Sequence, residues 1–358
     1  TPLMISMDAE WGVGMRLDSV PKFPWNMSLG AIKNDLLIEK IGLEIGYQFK
    51  RRGIHMNFAP VIDINTNPKN PIIGNRSYGE NKINVSEKGI SFIKGIQSNN
   101  VLATAKHFPG HGDTSKDSHL TLPTINFDEK RIKKVELYPF KKLIEDGLSA
   151  VMIAHLNVPS LEKENMLPST LSKNIIEKTL IKELNFNGLI ITDALEMKGV
   201  SEFTKKNVDL MAFLAGNDIL LMSSDISKGI KSIKKSIKKG KISEQRLARS
   251  VKKILKAKYK VGLNSYKSIE TTSLIDDLNS ISVTNLINKS IESIPTLIKN
   301  KSNVIPVKLD TESILNIQFG NSDGVIFNDY LNQFMKIKAI NASNINTNDL
   351  NSLLANNK

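Results

Sequence analysis

The sequence predicts an α/β fold: a parallel (β/α)8-like TIM barrel over its first two-thirds, then the start of a second α/β unit. Two observations carry this. Short apolar runs alternate with longer amphipathic ones from Leu3 to Met222, the order that builds a parallel sheet with helices outside it. Titratable side chains stand at the ends of several of those runs, at Asp8, Lys106-His107, His155 and Asp193. An open doubly wound sheet concentrates ligands at one switch point, whereas a barrel mouth collects them from many strand ends.

In chain order, the first strand is Leu3–Met7, and an amphipathic helix over Leu36–Arg52 leads to the second, Ile54–Phe58. The helix Val85–Gln97 precedes the strand Val101–Ala105, and the helix Glu129–Asp146 precedes Ala150–Ala154. The helix Ser172–Leu184 leads to Leu189–Thr192, and Asn207–Ala215 leads to Ile219–Met222. Six strands are thus visible of the eight in a closed barrel, and at least one more is placed before Thr1. Glu244–Leu263 reads as a last helix closed by Gly262. The division is a barrel domain, 1–263, a linker and helix, 264–293, and a partial further unit, 294–358, whose first strand is the alternating run Ser313–Gly320.

Composition narrows the chemistry. With no cysteine among 358 residues, disulfides, thiolate metal sites and cysteine nucleophiles are excluded. The net charge of +13 concentrates between Lys228 and Lys260, where Ile230, Ile233 and Ile237 recur at helical spacing with lysines between them. That pattern is a solvated helix face, without the interleaved aromatics of a single-strand nucleic-acid site, so no nucleic-acid partner is expected. No apolar run is long enough to span a bilayer. No signal peptide is visible in a chain opening on Thr1-Pro2, which leaves the compartment open between periplasm or cell envelope and cytoplasm. Oligomeric state is not legible.

The segment Lys106–His119 packs three of the five histidines, two aspartates and two lysines into a loop that follows a buried strand. Pro109, Gly110 and Gly112 end regular structure there. Within it, Asp117 and His119 lie two apart, on one side of an extended segment. An Asp beside a His raises the imidazole pKa and fixes its tautomer, as proton transfer to a leaving oxygen requires. A turn-capping Asp and a structural His fit the spacing equally. Asp193 ends a buried strand, where a carboxylate serves as a nucleophile toward a sugar's anomeric carbon or, as this signal alone favours, as a helix cap. Asp8 and Arg16 flank a glycine-containing turn and can hold hydroxyls or simply pair with each other. Arg76, in Asn75–Glu80, reads alone as a solvated loop arginine. His107, His111, Asp113, Asp117 and His119 also form a possible metal cluster, although Pro109 and Gly110 break any helical HxxxH face.

Together these segments resemble glycoside hydrolase family 3, and within it the bacterial β-N-acetylglucosaminidases. The resemblance rests on Asp8–Arg16, Asn57–Asp63, Asn75–Gly79, Lys106–Gly112, Asp117–His119 and Ile191–Met197, in the family's order, and covers roughly Pro2 to Leu263. It implies a retaining exo-β-N-acetylglucosaminidase acting on peptidoglycan-derived glycans or muropeptides, with no metal and no cofactor. It makes Asp193 the nucleophile and His119, with Asp117, the acid/base. It makes Asp8, Arg16, Arg76, Lys106 and His107 sugar-binding residues, His111 a loop-shaping one, and 294–358 part of an α/β sandwich domain. Pro109-Gly110-His111 stands where β-glucosidase members carry an Ala-x-Asn pattern, which favours the N-acetylglucosaminidase branch. Trp11 stands where glycine is frequent. A phosphate ion replacing the attacking water, a metal-dependent barrel hydrolase and a glycan-binding module without turnover are the competing readings.

Overall fold

The computed structural model describes all residues except 1, 116–120, 202, 204–206, 308–313, 321–323, 343–344 and 357–358. Two compact units, Thr1–Pro295 and Thr296–Lys358, are present. The first is built on five parallel strands: β1 (Ser6–Met7), β2 (Met56–Asn57), β3 (Leu102–Phe108), β4 (Ala150–Ile153) and β5 (Leu189–Thr192). Their spatial order is their sequence order. A doubly wound sheet would reverse direction at a switch point; an order that never reverses belongs to a sheet curling into a barrel. These five strands make a half-barrel, and the predicted sixth strand is reduced to a single bridge between Ile191 and Ile219.

Strand periodicity decides which side chains enter the barrel. Met56, Leu102, Ala150, Leu189 and Ile191 share one apolar cluster with Phe58, Met152, Ala257, Val261 and Leu263 inside the curl. The residues that alternate with them, among them Ala103, Ala105, Val151, Ile153 and Ile190, join the larger core under the surrounding helices. Continuing the inward parity toward the strand ends gives Asp8, Phe58, Lys106, Met152 and Asp193. All five line one cavity of about 450 Å³.

The helices hold this register. Asp35–Arg51 is capped by Asn34, whose side chain accepts from the Leu36 amide, and Lys82–Ser98 by Asn81 in the same way. The two helices meet at glycines: a Cβ on Gly95 would lie 2.1 Å from the Glu39 carbonyl oxygen, and one on Gly42 would lie 2.5 Å from that of Phe92. The predicted single helix Glu129–Asp146 is two, Glu129–Lys134 and Leu137–Glu145. Pro139 has no N–H to close a turn on Val135, so the helix restarts with proline in its first turn. Beyond the helix Glu244–Lys260, residues 264–293 are packed on the barrel. Leu278 and Val283 are core residues, and Arg51 donates to the Asp277 carboxylate at 2.8 Å.

The second unit pairs β6 (Ile314–Gln318) in parallel with β7 (Ile337–Asn341), with helices Val325–Asn332 and Thr347–Asn356. None of its described residues is buried, consistent with a two-stranded sheet too small to enclose a core. Among the described residues, no helix is long and apolar enough to cross a membrane.

Candidate active site

The cavity lies at the C-terminal ends of the strands, and its floor is an ion-pair network. Glu10, two residues past the inward-facing Asp8, receives a two-pronged contact from Arg76: Nε to Oε2 at 2.9 Å and Nη2 to Oε1 at 2.7 Å. Lys106 Nζ sits 2.8 Å from the same Oε1 and donates at 2.8 Å to Asp8 Oδ1. Arg16 closes the chain through Nη2 to Asp8 Oδ2 at 3.0 Å. Burial pushes the Glu10 carboxyl up, but the Lys106 and Arg76 charges and hydrogen bonds outweigh it and hold Glu10 well below the usual carboxylate range. Burial alone would lower Lys106; the Glu10 and Asp8 carboxylates reverse the sign and raise it. Arg76, read from sequence as a solvated loop arginine, is instead largely covered, because its charge has a buried partner in Glu10.

His107 is held from both sides. Asp63 Oδ2 lies 2.7 Å from Nδ1, and the Asp63 carboxylate also accepts the backbone N–H groups of His107, at 3.2 Å, and His111, at 2.6 Å. Arg76 Nη2 lies 3.3 Å from Nε2. The pattern is met by the tautomer in which Nδ1–H donates to Asp63 and Nε2 accepts from Arg76. Asp63 is fully buried; desolvation raises its carboxyl, and the His107 ring and these donors bring it below its ordinary value. Asn70 donates to the His111 carbonyl at 2.8 Å, and Thr114 Oγ1 lies 2.7 Å from His111 Nδ1. Burial, then the neighbouring His107, pushes His111 down to about 4.

Across the cavity, Asp193 follows β5. Its backbone N–H donates to Ile153 at 2.9 Å and its Oδ1 accepts the Ala194 N–H at 2.8 Å. Burial raises this carboxyl, and His107, His155, the Ala194 amide and Lys106 together lower it, so it is ionised at neutral pH. His155, fully buried, fixes the turn: Nε2 contacts the Ala194 carbonyl at 2.9 Å and Nδ1 the Thr170 hydroxyl at 2.6 Å.

The six described residues expected at the site, Asp8, Arg16, Arg76, Lys106, His107 and Asp193, therefore line one cavity. Asp117 and His119 lie outside the described residues. Glu10 and Asp63 received no role from the sequence, although each stands in a quoted segment. Their signal was a carboxylate closing an apolar or glycine-flanked run. Among the described residues, no three His, Asp or Glu are grouped as metal ligands. Both ring nitrogens of His107 are engaged by Asp63 and Arg76, which leaves it poorly disposed as one. A larger cavity, about 1250 Å³, is lined by Leu3, Ile5, Ile54, His55 and residues near Val261, at the opposite strand ends, away from every one of these groups.

Residues 1–257 match the glycosyl hydrolase family 3 N terminal domain. The chain belongs to this family. It is 34% identical over 289 residues to beta-hexosaminidase A of Pseudoalteromonas piscicida, covering 74% of this chain and 48% of the relative. It is 26% identical to a beta-N-acetylglucosaminidase/beta-glucosidase of Cellulomonas fimi, covering 86% of this chain and 56% of that one. The chain thus spans about half the length of these curated relatives. The solved family 3 beta-N-acetylglucosaminidase of Paenibacillus sp. str. FPU-7 superposes with a TM-score of 0.80 at 34% identity, over 99% of this chain and 70% of that chain.

Proposed function

We propose that this family 3 chain is a retaining exo-β-N-acetylglucosaminidase that removes terminal β-linked N-acetylglucosamine from peptidoglycan-derived glycans. One observation supports this above the rest. An ionised carboxylate, Asp193, shares a cavity with a fixed array of cations and carboxylates, Arg16, Asp8, Lys106 and Arg76, suited to sugar hydroxyls. The names of the relatives point to the same sugar.

In this reading an Asp193 carboxylate oxygen attacks the anomeric carbon as the glycosidic bond breaks, and a covalent glycosyl-enzyme forms. His119, with Asp117 as its dyad partner, protonates the departing oxygen, then takes a proton from the water that releases the sugar. Lys106, Asp8 and Arg16 hold the hydroxyls. Glu10 and Asp63 are positioning residues, acting through Arg76, Lys106 and His107.

The test is turnover of a chromogenic β-N-acetylglucosaminide beside the matching β-glucoside, with and without EDTA, in the chain and its Asp193→Ala variant. Chelator-insensitive cleavage of the N-acetylglucosaminide, abolished in the variant, is expected. Loss of activity with chelator would move the assignment to metal-dependent chemistry. Full turnover in Asp193→Ala would end the nucleophile assignment.

A further inference from the structure

The chain's excess charge is not spread over its surface. Between Ile226 and Lys260 stand fourteen lysines and arginines and one acid, Glu244. The helices Ile226–Lys238 and Glu244–Lys260, with the turn between them, therefore carry a net +13, the excess of the whole chain. On other helices lysines meet carboxylates: Lys133 pairs with Glu129 and Glu183, and Lys142 with Glu145. Among the described residues, Lys231, Lys234, Lys235, Lys238, Lys252 and Lys256 have no such pair, and all six are exposed. Lys231 with Lys235, Lys234 with Lys238, and Lys252 with Lys256 stand four apart, where like charges on a helix repel.

A solvated surface helix turns its apolar residues inward. Ile226–Lys238 does not: its buried residues are Gly229 and Ser236. Gly229 permits this seat, since a Cβ there would lie 3.0 Å from the Asp209 carboxylate. Ile226 and Ile230, one turn apart, are left 67% and 49% exposed beside the lysines. The second helix repeats the arrangement. Leu247, Val251, Leu255 and Tyr259, spaced by four, are all exposed, and Lys252 and Lys256 adjoin that row. Its inner cations are already engaged: Lys253 donates to Asp218 at 3.0 Å, and Arg246 to the Asn217 carbonyl at 2.7 Å.

We propose that the outer faces of these two helices dock on an anionic phospholipid bilayer. The lysine ammonium groups meet the headgroup phosphates, and the exposed isoleucine, leucine and valine side chains enter the interfacial layer. The charge calls for a polyanionic partner, and the apolar rows choose among polyanions. A single-stranded nucleic acid asks for interleaved aromatics, and an acidic polysaccharide has no layer that isoleucine can enter. Twelve of the fourteen cations are lysine, a flexible point charge suited to a diffuse sheet of phosphates; two-pronged recognition of one phosphate calls for arginine. Lysine stems lie along apolar surface while their heads stay in water, so both kinds of row serve one interface. The association is peripheral and does not depend on the glycosidase reading.

The test is co-sedimentation of the full chain with vesicles of phosphatidylcholine alone and of phosphatidylcholine and phosphatidylglycerol in equal parts. At about 0.1 M salt, binding to the anionic vesicles should exceed that to the neutral ones by about tenfold or more, and it should fall at about 0.5 M. Lys234→Gln with Lys235→Gln should weaken it by about tenfold or more, and Ile226→Ser with Ile230→Ser by about fivefold or more. All four positions are exposed, so circular dichroism and the thermal midpoint of both variants should match the parent. Equal binding to both kinds of vesicle, or none to the anionic ones, would overturn the proposal. An isoleucine variant that binds anionic vesicles as the parent does would also overturn it, leaving a face for polyanions in general. No outcome bears on turnover of the N-acetylglucosaminide, so the glycosidase reading stands or falls by its own test.

Discussion

At Glu10 a single buried carboxylate answers two cations, Arg76 and Lys106. Replacing it with glutamine keeps the shape and removes the charge that both were folded around. Breaking such a buried pair costs about 3–5 kcal/mol, and the lower end applies because Lys106 keeps Asp8. Glu10→Gln should therefore lose about 3 kcal/mol in urea denaturation, with the m-value unchanged, and its kcat/KM should fall as Arg76 and Lys106 drift. A midpoint equal to that of the parent would show that the network is not structural. His111 gives a pH dependence of known sign. Its ring titrates at about 4 in the fold and near 6.5 in the unfolded chain, so the unfolded state takes the proton first as pH falls. Stability complete above about pH 6.5 is lost progressively toward about pH 4, by roughly 3 kcal/mol. Denaturation of His111→Gln across that window should show a shallower slope; an identical slope would remove His111 as its source.

Among elements, the contact between the helices Asp35–Arg51 and Lys82–Ser98 is the least forgiving. Gly95→Ala gains up to about 1 kcal/mol in helix propensity. The new methyl has no room beside the backbone of Glu39 and Leu43, and such overpacking costs about 1–3 kcal/mol or more. Net destabilisation is expected, read as a lower thermal midpoint; a rise would mean that the helices separate freely. These elements were largely legible in the sequence. The strand runs after Val101, Ser149 and Gly188 stand out because buried parallel strands are continuously apolar, and the inward parity that delivers Lys106 and Asp193 follows from a period of two. The break at Pro139 was masked by an unbroken amphipathic pattern. Glu10 and Asp63 escaped assignment for a different reason: their partners Arg76 and His107 lie 66 and 44 residues away, and no local period encodes such a pairing. Trp25 carried no signal, since an aromatic beside prolines reads as ordinary loop.

Across the whole molecule, the net charge of +13 stops short of the cavity. The lining carries four carboxylates, Asp8, Glu10, Asp193 and Glu196, against three fixed cations, Arg16, Arg76 and Lys106. The basic excess lies instead on surfaces such as the helix Ile226–Lys238, where Lys231, Lys234, Lys235 and Lys238 are exposed. Exposed charges are screened within about 10 Å at 0.1 M salt. Raising salt from about 0.05 to about 0.5 M should therefore leave KM for a neutral glycan unchanged within about twofold, while retention on a polyanionic resin falls. A steep rise in KM would place the surface charge in substrate capture.

The unreversed strand order has a consequence for how this mouth can change. Four of the five strands hand on their own part of the lining at or just past their C-terminal ends: the first brings Asp8, Glu10, Trp11, Arg16 and Trp25, the second Arg76, the third His107 and His111, and the fifth Asp193 and Met197. The labour is divided by loop. A new sequence between Trp11 and Trp25 would redraw that wall of the cavity without touching the strand end that carries Asp193, so the two sides of the mouth can vary apart.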